Sequence, residues 1–271
     1  MKSRMTFPLA LIGWLVIANP APASAIDLRP SDREQVKLGQ QAAAEIRQKY
    51  KILPARDPRV VLLRRLGAKL VAQIPETERK RTGFTFTFDL IRHKEVNAFA
   101  LPGGPIFFYT GLFERFETED QLAAVMAHEI THVRQKHWAT SYADNMKRQF
   151  GLAVLFSVFD VNQSLASAIT IADDVAFTIP YSRKQETKAD DGGYDLMFQA
   201  GFSPTAMSQM FKKLGGEKTD WLSSKLSSHP DTSSRIKRAE DRVKQESRPM
   251  PAPRRMPPAV MAANAADKIR K

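Results

Sequence analysis

His128-Glu129-Ile130-Thr131-His132 is the stretch that decides how this chain is read. Two imidazoles four residues apart stand about one turn from each other on one face of a helix, so both can reach a single metal ion. Glu129 is rotated off that face, toward a water on the metal. This is half of a zinc hydrolase site. Such centres use three protein ligands and leave a fourth position for water. The chain has five histidines and no cysteine, which excludes thiolate ligands. His137 follows His132 by five residues, off the ligand face of a continuous helix, and reads as a surface residue. The third ligand has to come from elsewhere.

Outward from the motif, Thr118-Glu119-Asp120-Gln121 has capping-box form and opens the histidine helix, with Leu122, Val125, Met126 and Ile130 on its core side. Upstream, Ser31-Asp32-Arg33-Glu34 opens a helix to about Tyr50, and Asp57-Pro58 opens another to about Ile74. Phe84 to Phe88 alternates strictly and predicts a half-buried strand. Val96 to Leu101 and Pro105 to Tyr109 follow as two more, joined by the turn Pro102-Gly103-Gly104, for a small antiparallel sheet. Downstream, Gly151 to Ile179 is apolar but interrupted by Asp160, Asn162, Asp173 and Asp174, which suits a buried or amphipathic helix better than a membrane span. Ser182 to Ala200 is helical with Gly201 as its C-cap, Pro204 begins another helix, and Asp231 to about Glu246 forms a last one. The fold class is α+β and mainly helical.

Glu186 is the candidate third ligand. In Ser182-Arg183-Lys184-Gln185-Glu186-Thr187-Lys188-Ala189-Asp190 it stands four residues before Asp190 on one helical face. Asp190 could accept the free N–H of a ligating imidazole and fix its tautomer. The same spacing also fits a solvated Glu/Lys/Asp face.

The ends of the chain carry separate information. Lys2 and Arg4, the apolar run Phe7 to Ala18 and Ala23-Ser24-Ala25 have the form of a signal peptide over residues 1–25, with a mature chain from near Ile26 and export to the periplasm. The apolar run is short for a span of about 20 residues. Nothing between residues 26 and 246 resembles an interdomain linker, so one catalytic domain is expected there. The formal charge is +12, from 41 basic and 29 acidic residues. Much of the excess lies in residues 247–271, where six basic residues meet Asp267 alone in a Pro- and Ala-rich setting. That tail is expected to be disordered, which argues against a nucleic-acid partner; weak contact with a membrane surface, through it or through the 151–179 segment, is the alternative use.

Together, His128-Glu129-x-x-His132, the Ser182 to Asp190 run, Asn97-Ala98-Phe99-Ala100-Leu101-Pro102-Gly103-Gly104, and Ser228-His229-Pro230 with Arg235-Ile236 resemble the zinc metallopeptidases related to HtpX and the CAAX prenyl protease. The likeness covers most of Leu38 to Ala239, with the blocks in family order. It implies a zincin-like domain of the gluzincin type, one zinc ion held by His128, His132 and Glu186, Glu129 as general base, and Asp190 behind the ligands. It also implies that the His229-Pro230 loop lies over the metal, where His229 would donate to the developing oxyanion or reach zinc as a fourth ligand and close the site. Arg235 could orient that loop or hold the intermediate. Asn97, Ala98, Phe99 and Ala100 would form the sheet edge on which an extended substrate adds as a strand. HtpX and the prenyl protease are integral membrane enzymes, whereas this chain has only the signal-like segment and resembles an exported soluble branch without a helical-repeat domain.

The resulting expectation is a zinc metalloendopeptidase acting on protein or peptide substrates of the cell envelope, misfolded or misassembled ones in particular, through a water activated by Glu129. The rival is a chaperone-like or partner-binding module with a closed, latent zinc site. The sequence leaves the oligomeric state open.

Overall fold

The computed structural model describes residues 27–155, 180–215 and 232–269. In chain order these form α1 (Asp32–Lys49), α2 (Pro58–Val71), α3 (Glu76–Thr82), β1 (Thr87–Ile91), β2 (Ala98–Ala100), β3 (Pro105–Tyr109), α4 (Thr110–Phe113), α5 (Glu119–Arg134), α6 (His137–Leu155), α7 (Arg183–Gln199), α8 (Thr205–Gly215), α9 (Thr232–Gln245) and α10 (Pro258–Ile269). Helices dominate, and the strands make one sheet in the order β1-β3-β2. β3 is buried at every position because it is central and covered on both faces. Its side chains alternate between two cores. Ile106 and Phe108 join Phe88, Leu90 and the apolar faces of α2 and α5, whereas Phe107 and Tyr109 join Ile91, Phe99 and the inner faces of α1 and α6.

The sheet is mixed rather than antiparallel. β2 and β3 are antiparallel, with Ala98 opposite Phe108 and Ala100 opposite Ile106, but β1 runs parallel to β3, with Thr87 opposite Pro105 and Ile91 opposite Tyr109. The Pro102-Gly103-Gly104 turn fixes the β2–β3 pair. Gly103 and Gly104 adopt φ of 80° and 120°, and a β-carbon at Gly104 would stand 2.5 Å from the Thr85 carbonyl oxygen, so no other residue fits there. β1 pairs with the far side of β3, and period-two alternation carries no information about which neighbour a strand selects. β1 also starts later than the Phe84 to Phe88 alternation suggests, because the ladder needs the buried Asp89-Leu90-Ile91 segment.

α5 is buried from Glu119 to Val133, polar residues included. Thr118 caps it, accepting the Gln121 N–H at 3.2 Å. Asp120 ties its first turn to two distant segments, accepting the Ser203 N–H at 2.7 Å and the Arg254 N–H at 2.6 Å. The histidine helix is thus anchored at its N-terminus before any ligand is considered. Among the described residues, no helix is long and apolar enough to cross a membrane. Within the 151–179 segment, residues 156–179 lie outside the described residues.

Residues 247–269 of the Pro-rich tail are ordered against the domain, contrary to the expectation from their composition. Glu119 and Met256 exchange backbone bonds with Arg254 and Glu117, Thr118 bridges Arg255, and α10 docks on α2. Val260 and Asn264 are buried, Asn264 donates to the Phe113 carbonyl at 3.0 Å, and Asp267 pairs with Arg59 at 2.6 Å and Arg92 at 2.7 Å. Pro258 starts the helix, and Val260, Asn264 and Asp267 fall on one face at helical spacing, a pattern that net composition hides. Arg254 is likewise engaged, with its guanidinium over the Phe202 ring at 4.9 Å.

Removal of residues 257–271 is therefore expected to cost about 3 kcal/mol, from lost burial of Val260 and loss of one of the two partners of buried Arg59. Urea denaturation checks this; a disordered tail would leave the midpoint unchanged. Burial pushes Asp57 and Asp267 up, but hydrogen bonds from Arg59 outweigh it and hold both below the usual carboxylate range. Their contribution is therefore complete above about pH 4 and is lost as pH falls through the lowered values, so the advantage of the full-length chain should shrink in acid.

Candidate metal centre

α5 and α7 carry the candidate ligands, and glycines in α7 let the two helices approach. A β-carbon at Gly192 would stand 2.6 Å from Thr131 Cγ2, and one at Gly193 would stand 3.2 Å from the His128 nitrogen. This crossing brings Glu186, in the first turn of α7, against the histidine face of α5. The Glu186 carboxylate is favoured there by the positive end of the helix. Ser182 caps α7 by accepting the Gln185 N–H at 3.3 Å, and the Gln185 carboxamide oxygen accepts the Ser182 N–H at 2.8 Å, which fixes the turn that carries Glu186.

His128 Nε2 and His132 Nε2 are 3.0 Å apart. Glu186 Oε1 is 3.3 Å from His132 Nε2, and Glu186 Oε2 is 3.6 Å from His128 Nε2. A tetrahedral zinc with bonds of about 2.0–2.1 Å requires neighbouring ligand atoms about 3.3 Å apart, which these separations bracket. The three residues thus form a buried group able to hold a metal ion. Charge agrees with geometry. Glu129, Glu186 and Asp190 are 3%, 1% and 7% exposed, and two cations face them, the buried guanidinium of Arg235 and the half-exposed Arg238, which is 3.4 Å from Asp190. A divalent cation offsets the excess of negative charge.

Asp190 lies behind His128, its Oδ1 3.0 Å from Nδ1, so an imidazole bound through Nε2 presents its other N–H to a carboxylate. Arg235, on α9, grips that carboxylate through both oxygens at 2.6 and 2.8 Å and reaches Glu186 Oε2 at 2.7 Å. Its guanidinium carbon lies over the Phe211 ring, 4.3 Å from the centroid. Burial pushes Asp190 up, yet hydrogen bonds from His128 and Arg235 prevail and keep it below the usual carboxylate range. Arg235 therefore braces a ligand and its support directly. The structure brings His128, Glu129, His132, Glu186, Asp190 and Arg235 into one cluster. His229, the possible fourth ligand or oxyanion donor, lies outside the described residues. Asn97 to Ala100 lead into and form β2, which is an edge strand packed against α5.

His137 is not a surface residue. It is 4% exposed, and its Nδ1 is 2.9 Å from Nδ1 of His132. Helical phase fails as a guide because α5 ends at Arg134 and Lys136 adopts φ of 53°, so the chain turns back and starts α6 with His137 beside the metal helix. Burial, then the neighbouring His128, pulls the His137 imidazole down to about 4. Tyr181, just before the α7 cap, stacks on His132 with ring centroids 4.0 Å apart. Burial, then the carboxylates of Glu129 and Glu186, raises its phenol above the ordinary range. No spacing in the sequence marks Tyr181.

Comparison with known proteins follows the same residues. The sequence profile of peptidase family M48 matches residues 62–243. The beta-barrel assembly-enhancing protease of Escherichia coli K12 is 32% identical over 68% of this chain and 39% of its own length. The mitochondrial metalloendopeptidase OMA1 of Schizosaccharomyces pombe is 30% identical over 76% of this chain and 60% of its own. Metalloprotease LoiP of E. coli K12 is 29% identical over 79% of this chain and 82% of its own. The chain therefore spans well under two thirds of the barrel-assembly protease and somewhat under two thirds of OMA1, but most of LoiP. With the profile covering more than half of its residues and the ligand cluster inside that span, the chain belongs to peptidase family M48.

Proposed function

We propose that this chain is a zinc metalloendopeptidase that hydrolyses peptide bonds of cell-envelope proteins, misfolded or misassembled ones in particular. The observation that carries this reading is Glu129, a buried carboxylate between the two imidazoles on α5. A purely structural zinc site has no use for a base at that position. Bound by His128, His132 and Glu186, zinc supplies a Lewis acid and lowers the pKa of a water to about 7. Glu129 takes the proton of the attacking water and returns it to the departing amine. Asp190 and Arg235 keep His128 and Glu186 aimed while this happens.

β2 suits a substrate that binds as an added strand, since it is an edge strand packed against the histidine helix. Main-chain hydrogen bonding at that edge is indifferent to side chains, which favours unfolded segments over one recognition sequence. The signal-like residues 1–25 support export to the periplasm, and the name of the E. coli barrel-assembly relative supports an envelope client. Stripping the purified chain with a chelator is expected to abolish cleavage of an unfolded protein such as casein, and one equivalent of zinc to restore it. Full cleavage by the metal-free chain would overturn the reading.

A further inference from the structure

We propose that His137 is a positioning residue for the metal centre: its ring accepts the Nδ1–H of His132, and its carbonyl holds Gln185, the neighbour of Glu186. One residue would thereby fix the direction of the second imidazole ligand and of the helix turn that supplies the carboxylate ligand. The inference rests on the zinc reading above and adds a role that the ligand set does not contain.

The two His132 nitrogens have different duties. If Nε2 faces the metal, Nδ1 carries the proton, and the atom it meets at 2.9 Å is Nδ1 of His137. His137 then keeps its own proton on Nε2, an atom buried without a partner among the described residues. The His137 carbonyl accepts Gln185 Nε2 at 3.0 Å, and the carboxamide oxygen of Gln185 accepts Ser141 Oγ–H at 3.1 Å, so α6 and α7 are pinned at the level of the ligands. The left-handed turn at Lys136 that makes this possible is held by an ion pair from Lys136 Nζ to Asp32 at the start of α1. The ligands are thus oriented by unlike partners, His128 by an Arg-clamped carboxylate and His132 by a neutral ring.

The test compares His137→Leu, which removes the acceptor, with His137→Asn, whose Oδ1 stands close to where Nδ1 stands. Zinc affinity is measured by chelator competition, with apoprotein stability measured in parallel. His137→Leu is expected to weaken zinc binding about 10- to 100-fold and His137→Asn to recover most of it, as for other residues that orient metal ligands. Equal zinc affinity in wild type and His137→Leu, or no recovery with Asn, sinks the inference. Wild type that binds no zinc removes the metal reading itself. If the Leu variant does not fold, ¹⁵N NMR of the zinc-loaded wild type decides: a proton on His132 Nδ1 and none on His137 Nδ1 is expected, and a protonated His137 Nδ1 overturns the assignment.

Discussion

Glu129→Gln is expected to bind zinc as wild type does and to lose about 10²- to 10⁴-fold in peptide-bond cleavage, the usual contribution of a positioned general base. The substitution keeps the shape of the side chain and removes its ability to take a proton. Glu129 is 3% exposed and lies on the α5 face beside the ligands rather than among them, so the metal cluster of His128, His132 and Glu186 is left intact. Metal analysis and an unfolded-protein cleavage assay on the same preparation separate binding from chemistry. Undiminished turnover with zinc in place would show that another group activates the water. Loss of zinc together with activity would show that Glu129 belongs to the ligand set.

Arg235→Met is expected to destabilise the apoprotein by about 3–5 kcal/mol, because it strands buried carboxylates that the guanidinium now neutralises. Arg235 is 5% exposed and pairs with Glu186 and Asp190 at 2.7 and 2.6 Å, and Met preserves much of its packing against Phe211 while deleting the charge. For a domain of this size each kcal/mol lowers the unfolding temperature by about 2–4 °C, so a fall of about 6–20 °C is expected. Pairing Arg235→Met with Asp190→Asn should recover part of the loss, since removing both members of a buried pair is far less costly than removing one. An effect of Arg235→Met within about 1 kcal/mol of zero, well inside the range of ordinary substitutions, would contradict this electrostatic account.

What the sequence made legible follows from the range of each signal. The His128 to His132 spacing, the Ser31 capping box and the Pro102-Gly103-Gly104 turn are local, and each appears in the structure where its residues place it. Glu186 and Asp190 were readable as one helical face, although only the α5–α7 crossing at Gly192 and Gly193 distinguishes a ligand face from a solvated one. The direction of β1 was not readable, because alternation specifies a buried face and not a neighbour. His137 was misread for a sharper reason: a single left-handed residue, Lys136, resets the helical phase, and nothing in Gln135-Lys136-His137 announces it. The tail was misread through composition, which averages Val260, Asn264 and Asp267 into their surroundings and loses their common face.

The central claim is that His128, His132 and Glu186 hold a catalytic zinc ion, and anomalous scattering at the zinc edge from crystals of the zinc-loaded chain tests it most directly. The expected result is one strong peak about 2.0–2.2 Å from Nε2 of His128, Nε2 of His132 and a carboxylate oxygen of Glu186. A peak ligated by other residues, or a fully active chain with no peak between α5 and α7, would contradict it.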